Sequence, residues 1–205
     1  MIALAEAARG IYGAWRLAHL DPGGHRWFDL TPEGVIRSFW AMAIAAPAFL
    51  LTASLRLAVA IDPDSAEAAM LAAPDPVRVM VVESIAFVVA WTAFPLIAHR
   101  LCALVDRAPR FGALVVATNW GNVLSSWVYA ATLLVALGGV LPDALARGLG
   151  LGAVALMLAY QGYVVKTAIE IGWGAALGFV LADVTIGVVV SSAALMVERG
   201  WSGGV

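Results

Sequence analysis

Charge is scarce in this sequence. Of its 205 residues only 13% are Asp, Glu, Lys or Arg, whereas a soluble domain carries about 25%. By contrast, 62% are hydrophobic, and the mean hydropathy is +0.91. The formal net charge of −2 provides no basic field that would attract nucleic acid, so a nucleic-acid partner is not expected. A single cysteine, Cys102, excludes an intrachain disulfide and a cysteine-rich metal site.

Signatures of cofactor and metal sites are also missing. The sequence contains no phosphate-binding loop and no HExxH motif, so no cofactor is expected. It has three histidines: His19, His25 and His99. No HxxxH or HxxE spacing joins them, and a metal site is therefore not expected either. The first 20 residues do not form a cleavable signal peptide, because Glu6, Arg9 and Arg16 interrupt any apolar core.

What the sequence has instead is long apolar runs. A bilayer core about 30 Å thick is crossed by about 20 helical residues, and five runs are long enough. The predicted spans are residues 34–59, 79–104, 112–138, 145–166 and 171–197. The predicted fold class is therefore all-α, a polytopic bundle of five membrane-spanning helices with an N-terminal amphipathic interfacial helix. The expected domains are a cytoplasmic helix and loop at 1–33, a transmembrane domain at 34–197 and a short periplasmic tail at 198–205.

The first 20 residues are amphipathic but too polar to span a membrane. On a helical wheel Leu4, Ile11 and Trp15 share one face, and Arg9 and Arg16 lie roughly opposite. Two arrangements fit this pattern. The helix can lie in the membrane interface with its basic side toward anionic lipid head groups, or it can pack on the cytoplasmic end of the bundle.

Proline, glycine and acidic residues mark the predicted loops. Residues 21–33 form the first, and Thr31 followed by Pro32 is a typical helix start, with a side-chain cap and a proline at the first helical position. Residues 60–78 form a second, polar loop with a short turn at 65–71.

Lysine and arginine in short loops predict the orientation. One side of the predicted topology carries eight of them: Arg9, Arg16, Arg26, Arg37, Arg100, Arg107, Arg110 and Lys166. The other side carries four: Arg56, Arg78, Arg147 and Arg199. The N-terminus is therefore expected in the cytoplasm and, after five crossings, the C-terminus in the periplasm.

Polar side chains within the spans are the candidates for a site. Asn119, Asn122 and Ser126 are spaced three and four apart, so they share one face of the third span. Gln161 lies in the inner half of the fourth span and Asp183 near the middle of the fifth. A charge at the bilayer centre costs at least about 2.5–3.5 kcal/mol. Asp183 is therefore expected to face the bundle, to take up a proton, or to bond to groups such as Asn122 or Gln161.

Two interpretations of this predicted polar cluster remain open. It can be a proton or ion relay or a polar substrate pocket, because ionisable groups inside membranes often have such roles. It can also be a hydrogen-bonded knot that sets helix register, because amides and hydroxyls commonly join membrane helices.

Two further features lie around the joint of the fourth and fifth spans. Lys166 and Glu170 are interpreted as marking the membrane boundary, because an exposed ion pair contributes only about 0–1 kcal/mol. Gly174 and Gly178 form a GxxxG motif, which predicts close packing of the fifth span.

Two stretches of the chain also carry a family resemblance. In Ala159–Val190 a tyrosine-containing helix end is followed by a short charged turn, a small-residue stretch and a last helix. The residues concerned are Tyr160, Gly162, Tyr163, Gly174, Ala175 and Ala176. Phe28–Leu51 combines a polar lead with an apolar helix that has Pro47 near its middle. Both stretches resemble bacterial Yip1-type membrane domains.

The resemblance implies a non-enzymatic protein of the bacterial inner membrane with five crossings and the N-terminus inside. In eukaryotes the family is associated with vesicle traffic through small GTPases. It offers no catalytic residue to carry over, and Asp183 and the pair Asn119 and Asn122 depart from its pattern.

The leading functional hypothesis is a membrane-organising or protein- and lipid-interaction role. Its expected partners are the bilayer, including anionic lipid at the N-terminal helix, and a second copy or another membrane protein. The alternative is a small-solute permease or proton-coupled transporter built on the polar cluster. An enzyme is disfavoured because no intramembrane histidine accompanies the candidate nucleophiles. Those nucleophiles are Cys102, Ser125, Ser126, Ser191 and Ser192.

Overall fold

The computed structural model describes residues 4–60 and 75–200. Within these two ranges the chain forms seven α-helices: α1 (Leu4–Ala18), α2 (Pro32–Ser38), α3 (Trp40–Ala60), α4 (Pro76–Leu104), α5 (Phe111–Leu137), α6 (Asp143–Ile169) and α7 (Trp173–Gly200). Short 3₁₀ helices occupy Pro22–Trp27 and Ala108–Arg110. Most of the polar loop predicted at 60–78, including its turn at 65–71, lies outside the described residues.

Among the described residues, five helical segments are long and apolar enough to cross a membrane: Pro32–Val59, Pro76–Leu104, Ala108–Leu137, Asp143–Ile169 and Trp173–Glu198. They coincide with the five predicted spans, and their ends differ from the predicted ends by a few residues. The prediction of an all-α, multi-pass membrane bundle is thereby confirmed.

The first span differs from its prediction in one respect, because it is divided into α2 and α3 at Phe39. The Ser38 hydroxyl donates a hydrogen bond of 2.7 Å to the carbonyl of Val35, and the backbone N–H of Phe39 bonds to Ile36 instead. A serine that bonds back to its own helix commonly bends it. The start of α2 is as predicted, with the Thr31 side chain accepting a hydrogen bond from the Gly34 backbone N–H.

The five long helices form a ring in the order α3, α5, α6, α7, α4, and each packs mainly against its two neighbours in that order. Helices α1 and α2 pack against α5, and α1 also touches α6. We call residues 4–38 the cap, and the end of the bundle that it contacts the capped end.

Burial is concentrated at the capped end. Every residue of α5 from Leu114 to Gly121 is buried, whereas from Leu124 to Leu137 only Ala130 is. In α6 the buried residues between Gly162 and Ile169 contrast with Ala153 alone in the preceding part of the helix. The capped end is therefore a packed protein core, and the opposite half of the ring exposes mostly apolar side chains.

Helix α1 packs on the end of the bundle, which is the second of the two predicted arrangements. Its small residues face inward, and Ala14 and Leu17 are fully buried. Leu4 is 90% exposed and Trp15 53% exposed. The buried face of α1 is therefore not the face of Leu4, Ile11 and Trp15 on the helical wheel. Small residues are buried instead because they allow the backbone of α1 to lie close to α5.

The predicted close packing through Gly174 and Gly178 is wrong. Both glycines are exposed, and a Cβ built on either would meet no atom within 4 Å. Helix α7 packs instead through neighbours such as Ala176 and Phe179, which are buried. Gly174 and Gly178 therefore lie on the face of α7 that turns away from α4 and α6, the helices that it packs against.

Candidate functional site

The predicted polar cluster is divided in the structure. Asn119 takes part in one hydrogen-bonded group, and Gln161 with Asp183 forms another. Asn122 and Ser126 are half-buried on α5, and neither is hydrogen-bonded to Asp183 in the described part of the chain. Helix α6 lies between α5 and α7 in the ring, which explains why Gln161 reaches Asp183 and Asn119 does not.

Asn119 joins three helices. Its amide nitrogen Nδ2 donates to the Ser38 hydroxyl at 2.8 Å, and its Oδ1 accepts from the indole Nε1 of Trp91 at 2.9 Å. The Ser38 hydroxyl in turn donates to the Val35 carbonyl. Ser38 and Asn119 are both nearly inaccessible to solvent. Trp91, Asn119 and Ser38 each have a hydrogen-bond partner in this series, so the group has the properties of a structural knot.

Asp183 is half-buried on α7 and accepts a hydrogen bond of 2.5 Å from the Gln161 amide nitrogen Nε2. If Trp173 marks the membrane interface, ten residues of helix place Asp183 about 15 Å deep. A carboxyl group at such depth needs a polar partner. The pair thus links α6 to α7 and is the remaining ionisable candidate among the predicted site residues.

Sequence analysis missed an ion-pair network within the cap. The Arg37 guanidinium donates to the Glu6 carboxylate at 2.9 Å and to Asp29 at 2.6 Å. Arg16 forms a second ion pair with Asp21. These interactions, together with the hydrogen bonds of Thr31 and Gly23, hold the pKa values of Asp29 and Asp21 below their usual range. Glu6 lies 31 positions before Arg37, and no local spacing could have indicated the pair.

The structure also contains a cavity of about 440 Å³ between the cap and the joint of α6 and α7. Its polar lining comes from His25, Arg110, Lys166, Thr167 and Glu170. These residues belong to three separate segments of the chain, so the cavity could not be predicted from the sequence beyond the basic character of the loops.

His25 anchors one wall of this cavity. Its ring nitrogen Nε2 lies 2.8 Å from the Thr167 hydroxyl, which donates its own proton to the Tyr163 carbonyl at 2.8 Å. His25 therefore donates and Thr167 accepts. Burial and, secondarily, the positive charge of Arg110 lower the pKa of His25 below its usual value.

The charges of the cavity come from the end of α6 and from Arg110. Glu170 has a left-handed backbone conformation at the end of α6 (φ 53°), and its carboxylate pairs with Arg110 at 2.7 Å, not with Lys166. The Lys166 ammonium lies 5.6 Å from the ring centre of Trp173. Both ion-pair partners are exposed. The two charged residues that were interpreted as a boundary marker thus also line a cavity.

Comparisons with protein families, with curated proteins and with solved structures gave no match. Among the described residues, no group of three or more His, Cys, Asp or Glu side chains is arranged to hold a metal ion.

Proposed function

We propose that this chain is a non-enzymatic integral membrane protein of the Yip1 type that organises membrane or binds protein and lipid through its cap. On this proposal it resides in a bacterial inner membrane with the capped end on the cytoplasmic side, as the excess of lysine and arginine at that end suggests. The observation that supports this proposal is the distribution of buried residues along the bundle. They are concentrated at the capped end, which therefore has the rigid core that a recognition surface needs.

The exposed side of α1 supplies a surface of suitable chemistry. Tyr12 and Trp15 are about half exposed, and Arg9 is exposed on the same helix. Aromatic and arginine side chains are enriched at protein interfaces and at membrane surfaces. The ion pairs of Arg37 hold the turn before α2 and the first turn of α1 together, so this surface is presented on a fixed support.

The proposal can be tested by photo-crosslinking in native membranes. A photoreactive amino acid at Trp15 is expected to capture a protein or lipid that is not captured from Val140, an exposed position in the loop between α5 and α6. Recovery of the same products at equal yield from both positions would contradict the proposal, because binding would then be unrelated to the cap.

A proton-coupled transporter is the second candidate, and one observation favours it: the half-buried Gln161–Asp183 pair within the spans. Against it, Asn119 is fully engaged in the separate knot with Trp91 and Ser38. Proteoliposomes containing a pH-sensitive dye distinguish the two functions. We expect no protein-dependent proton flux, whereas a flux that is abolished by Asp183→Asn would favour the transporter.

A further inference from the structure

The cavity between the cap and the α6–α7 joint has the composition of an anion site at a membrane surface. Two cations, Arg110 and Lys166, line it against one carboxylate, Glu170. Leu30 and Ile171 contribute apolar wall. The cavity therefore combines an excess of positive charge with apolar surface, and a volume of about 440 Å³ exceeds what a single phosphate group requires.

Lys166 is the cation with the greater freedom to bind a ligand. Within the described part of the chain it has no carboxylate at ion-pair distance, and its ammonium lies over the ring of Trp173. Arg107, just before the 3₁₀ helix that contains Arg110, directs its guanidinium to the backbone carbonyls of Ile169 and Asp106. It adds positive charge beside the cavity without a carboxylate partner in the described residues.

The position of the cavity suits a lipid better than a freely diffusing anion. Lys166 is in the last turn of α6, and the half-exposed Trp173 begins α7. Tryptophan at the end of a span lies at the level of the lipid head groups. Basic pockets between membrane helices at the cytoplasmic side are typical binding sites for anionic head groups.

We propose that this cavity binds the phosphate group of an anionic phospholipid, with Lys166 and Arg110 as the charged contacts and Leu30 and Ile171 beside the glycerol region. Glu170 pairs with Arg110, and the lipid phosphate competes with this carboxylate. The inference rests on the proposed function, since it names a lipid class that the capped end recognises.

The test is calorimetric titration of the detergent-purified full chain with dihexanoyl phosphatidylglycerol below its micellar concentration. Parallel titrations use dihexanoyl phosphatidylcholine and inorganic phosphate. Near a membrane surface each lysine or arginine contributes about fivefold to the affinity for an anionic lipid. The double variant Lys166→Gln/Arg110→Gln is therefore expected to bind phosphatidylglycerol about 25-fold more weakly than the wild type.

Two variants serve as matched controls, because each also removes an exposed arginine. Arg100→Gln removes a charge from the last turns of α4, at the same end of the molecule but outside the cavity lining. Arg147→Gln removes one from the first turns of α6 at the opposite end. Both are expected to bind phosphatidylglycerol with wild-type affinity.

Glu170→Gln tests this competition directly, and its expected effect on the affinity for phosphatidylglycerol is opposite to that of the double variant. Removal of its carboxylate frees Arg110, and the affinity for phosphatidylglycerol is expected to rise roughly two- to fivefold. This gain cannot result from a damaged fold, so it keeps the proposal testable if the double variant is unstable.

Three results would overturn the proposal: equal binding of phosphatidylcholine, binding of inorganic phosphate as tightly as phosphatidylglycerol, or equal losses in Arg100→Gln and the double variant. Each is distinct from failure of the proposed function, which is read from crosslinks at Trp15. Selective capture there, combined with phosphatidylglycerol affinity that is unaffected by the cavity variants, would retain the cap as a binding surface and reject the cavity as a lipid site.

Discussion

At the scale of single residues, Asn119 shows how a polar side chain is accommodated inside this bundle. Both ends of its amide are used, one by Trp91 and the other by Ser38, so neither partner is left without a hydrogen bond. A buried donor or acceptor that loses its partner costs about 1–3 kcal/mol, although interhelical hydrogen bonds in membranes average nearer about 0.6 kcal/mol.

Asn119→Ala is therefore expected to lower the free energy of unfolding by about 1–2 kcal/mol, because it leaves the Trp91 indole N–H without an acceptor and removes the donor to the Ser38 hydroxyl. Asn122→Ala, three positions further along the same helix at a half-buried site, is the matched control and is expected to cost clearly less. Reversible unfolding in detergent, followed by tryptophan fluorescence, measures both. Equal losses would show that the Asn119 hydrogen bonds contribute no more than ordinary packing.

His25 makes the cap sensitive to pH. Its pKa in the folded protein is lowered by burial and by Arg110, whereas the unfolded chain has the usual value of about 6.5. As the pH falls below that value the unfolded state binds more protons than the folded state, so the free energy of unfolding decreases with falling pH. The effect should appear between about pH 7 and pH 5.

His25→Gln is expected to flatten this pH dependence, because glutamine can still donate to Thr167 but does not titrate. The measurement compares melting temperatures at pH 7.5 and pH 5.5, a window above the range in which Asp21 and Asp29, with their lowered pKa values, become protonated. His19→Gln, at an exposed position directly after α1, is the control and should retain the wild-type slope. An unchanged slope in His25→Gln would assign the pH dependence to another group.

At the scale of elements, the contact of α1 with α5 depends on Gly10. A Cβ on Gly10 would overlap the indole ring of Trp120, which is itself buried in α5. Glycine inside a helix normally costs about 0.5–1 kcal/mol relative to alanine, so close approach of α1 to α5 explains its presence here.

Gly10→Ala is expected to destabilise the protein by about 1–3 kcal/mol through overpacking, despite the better helix propensity of alanine. Gly148→Ala in α6, where a Cβ meets no atom within 4 Å, should instead stabilise by about 0.5–1 kcal/mol. Thermal unfolding shows whether each variant is destabilised or stabilised. Limited proteolysis of the N-terminus should show release of α1 in Gly10→Ala alone. A stabilised Gly10→Ala protein would contradict the packing of α1 on Trp120.

The link between α6 and α7 can be examined in the same way. Asp183→Asn keeps an acceptor for the Gln161 amide, so it should cost less than about 1 kcal/mol. Gln161→Leu leaves the carboxyl of Asp183 without this partner and should cost about 1–3 kcal/mol. The double variant Gln161→Leu/Asp183→Leu should recover most of that loss, because an apolar pair has no polar group to satisfy.

Unfolding free energies of these three variants complete the test. A double variant as unstable as Gln161→Leu would show that the cost comes from leucine packing and not from the lost hydrogen bond.

The sequence alone predicts the helices but not which helices pack against each other. The five spans follow from apolar runs, and the start of α2 from Thr31 and Pro32, because these signals are local. The partner of Asp183 is only partly predictable. The depth of its carboxyl group in the membrane requires a polar contact, but the order of the helices in the ring decides that Gln161 supplies it. The ion pairs of Arg37 and the walls of the cavity depend on contacts between distant segments, which no spacing in the sequence encodes.

At the scale of the whole molecule, packing is uneven along the bundle axis. The capped end contains the cap and the buried halves of α5 and α6, whereas the other half of the ring exposes large apolar residues such as Leu134 and Leu156. Such surface is compatible with lipid contact, because lipid tails do not penalise exposed apolar side chains. Charge and packing are thus both greatest at the same end of the protein.

The proposed orientation predicts a simple labelling result. Cys102 is fully buried and is the single cysteine of the chain, so the wild type should resist a membrane-impermeant maleimide. Val140→Cys, in the loop between α5 and α6, should react in intact spheroplasts, whereas Ala18→Cys at the exposed end of α1 should react only after lysis. The reverse pattern would invert the topology and place the cap outside the cell.

The packing of α1 also has a consequence for the order of events during synthesis. Gly10 lies against Trp120, which follows it by 110 residues, and the Tyr160 hydroxyl donates to the Ala14 carbonyl from 146 residues away. At about 5–20 residues per second, a ribosome needs on the order of 5–20 s to make Trp120 after Gly10. We expect α1 to rest on the membrane surface during that interval and to close onto the bundle only when α6 emerges.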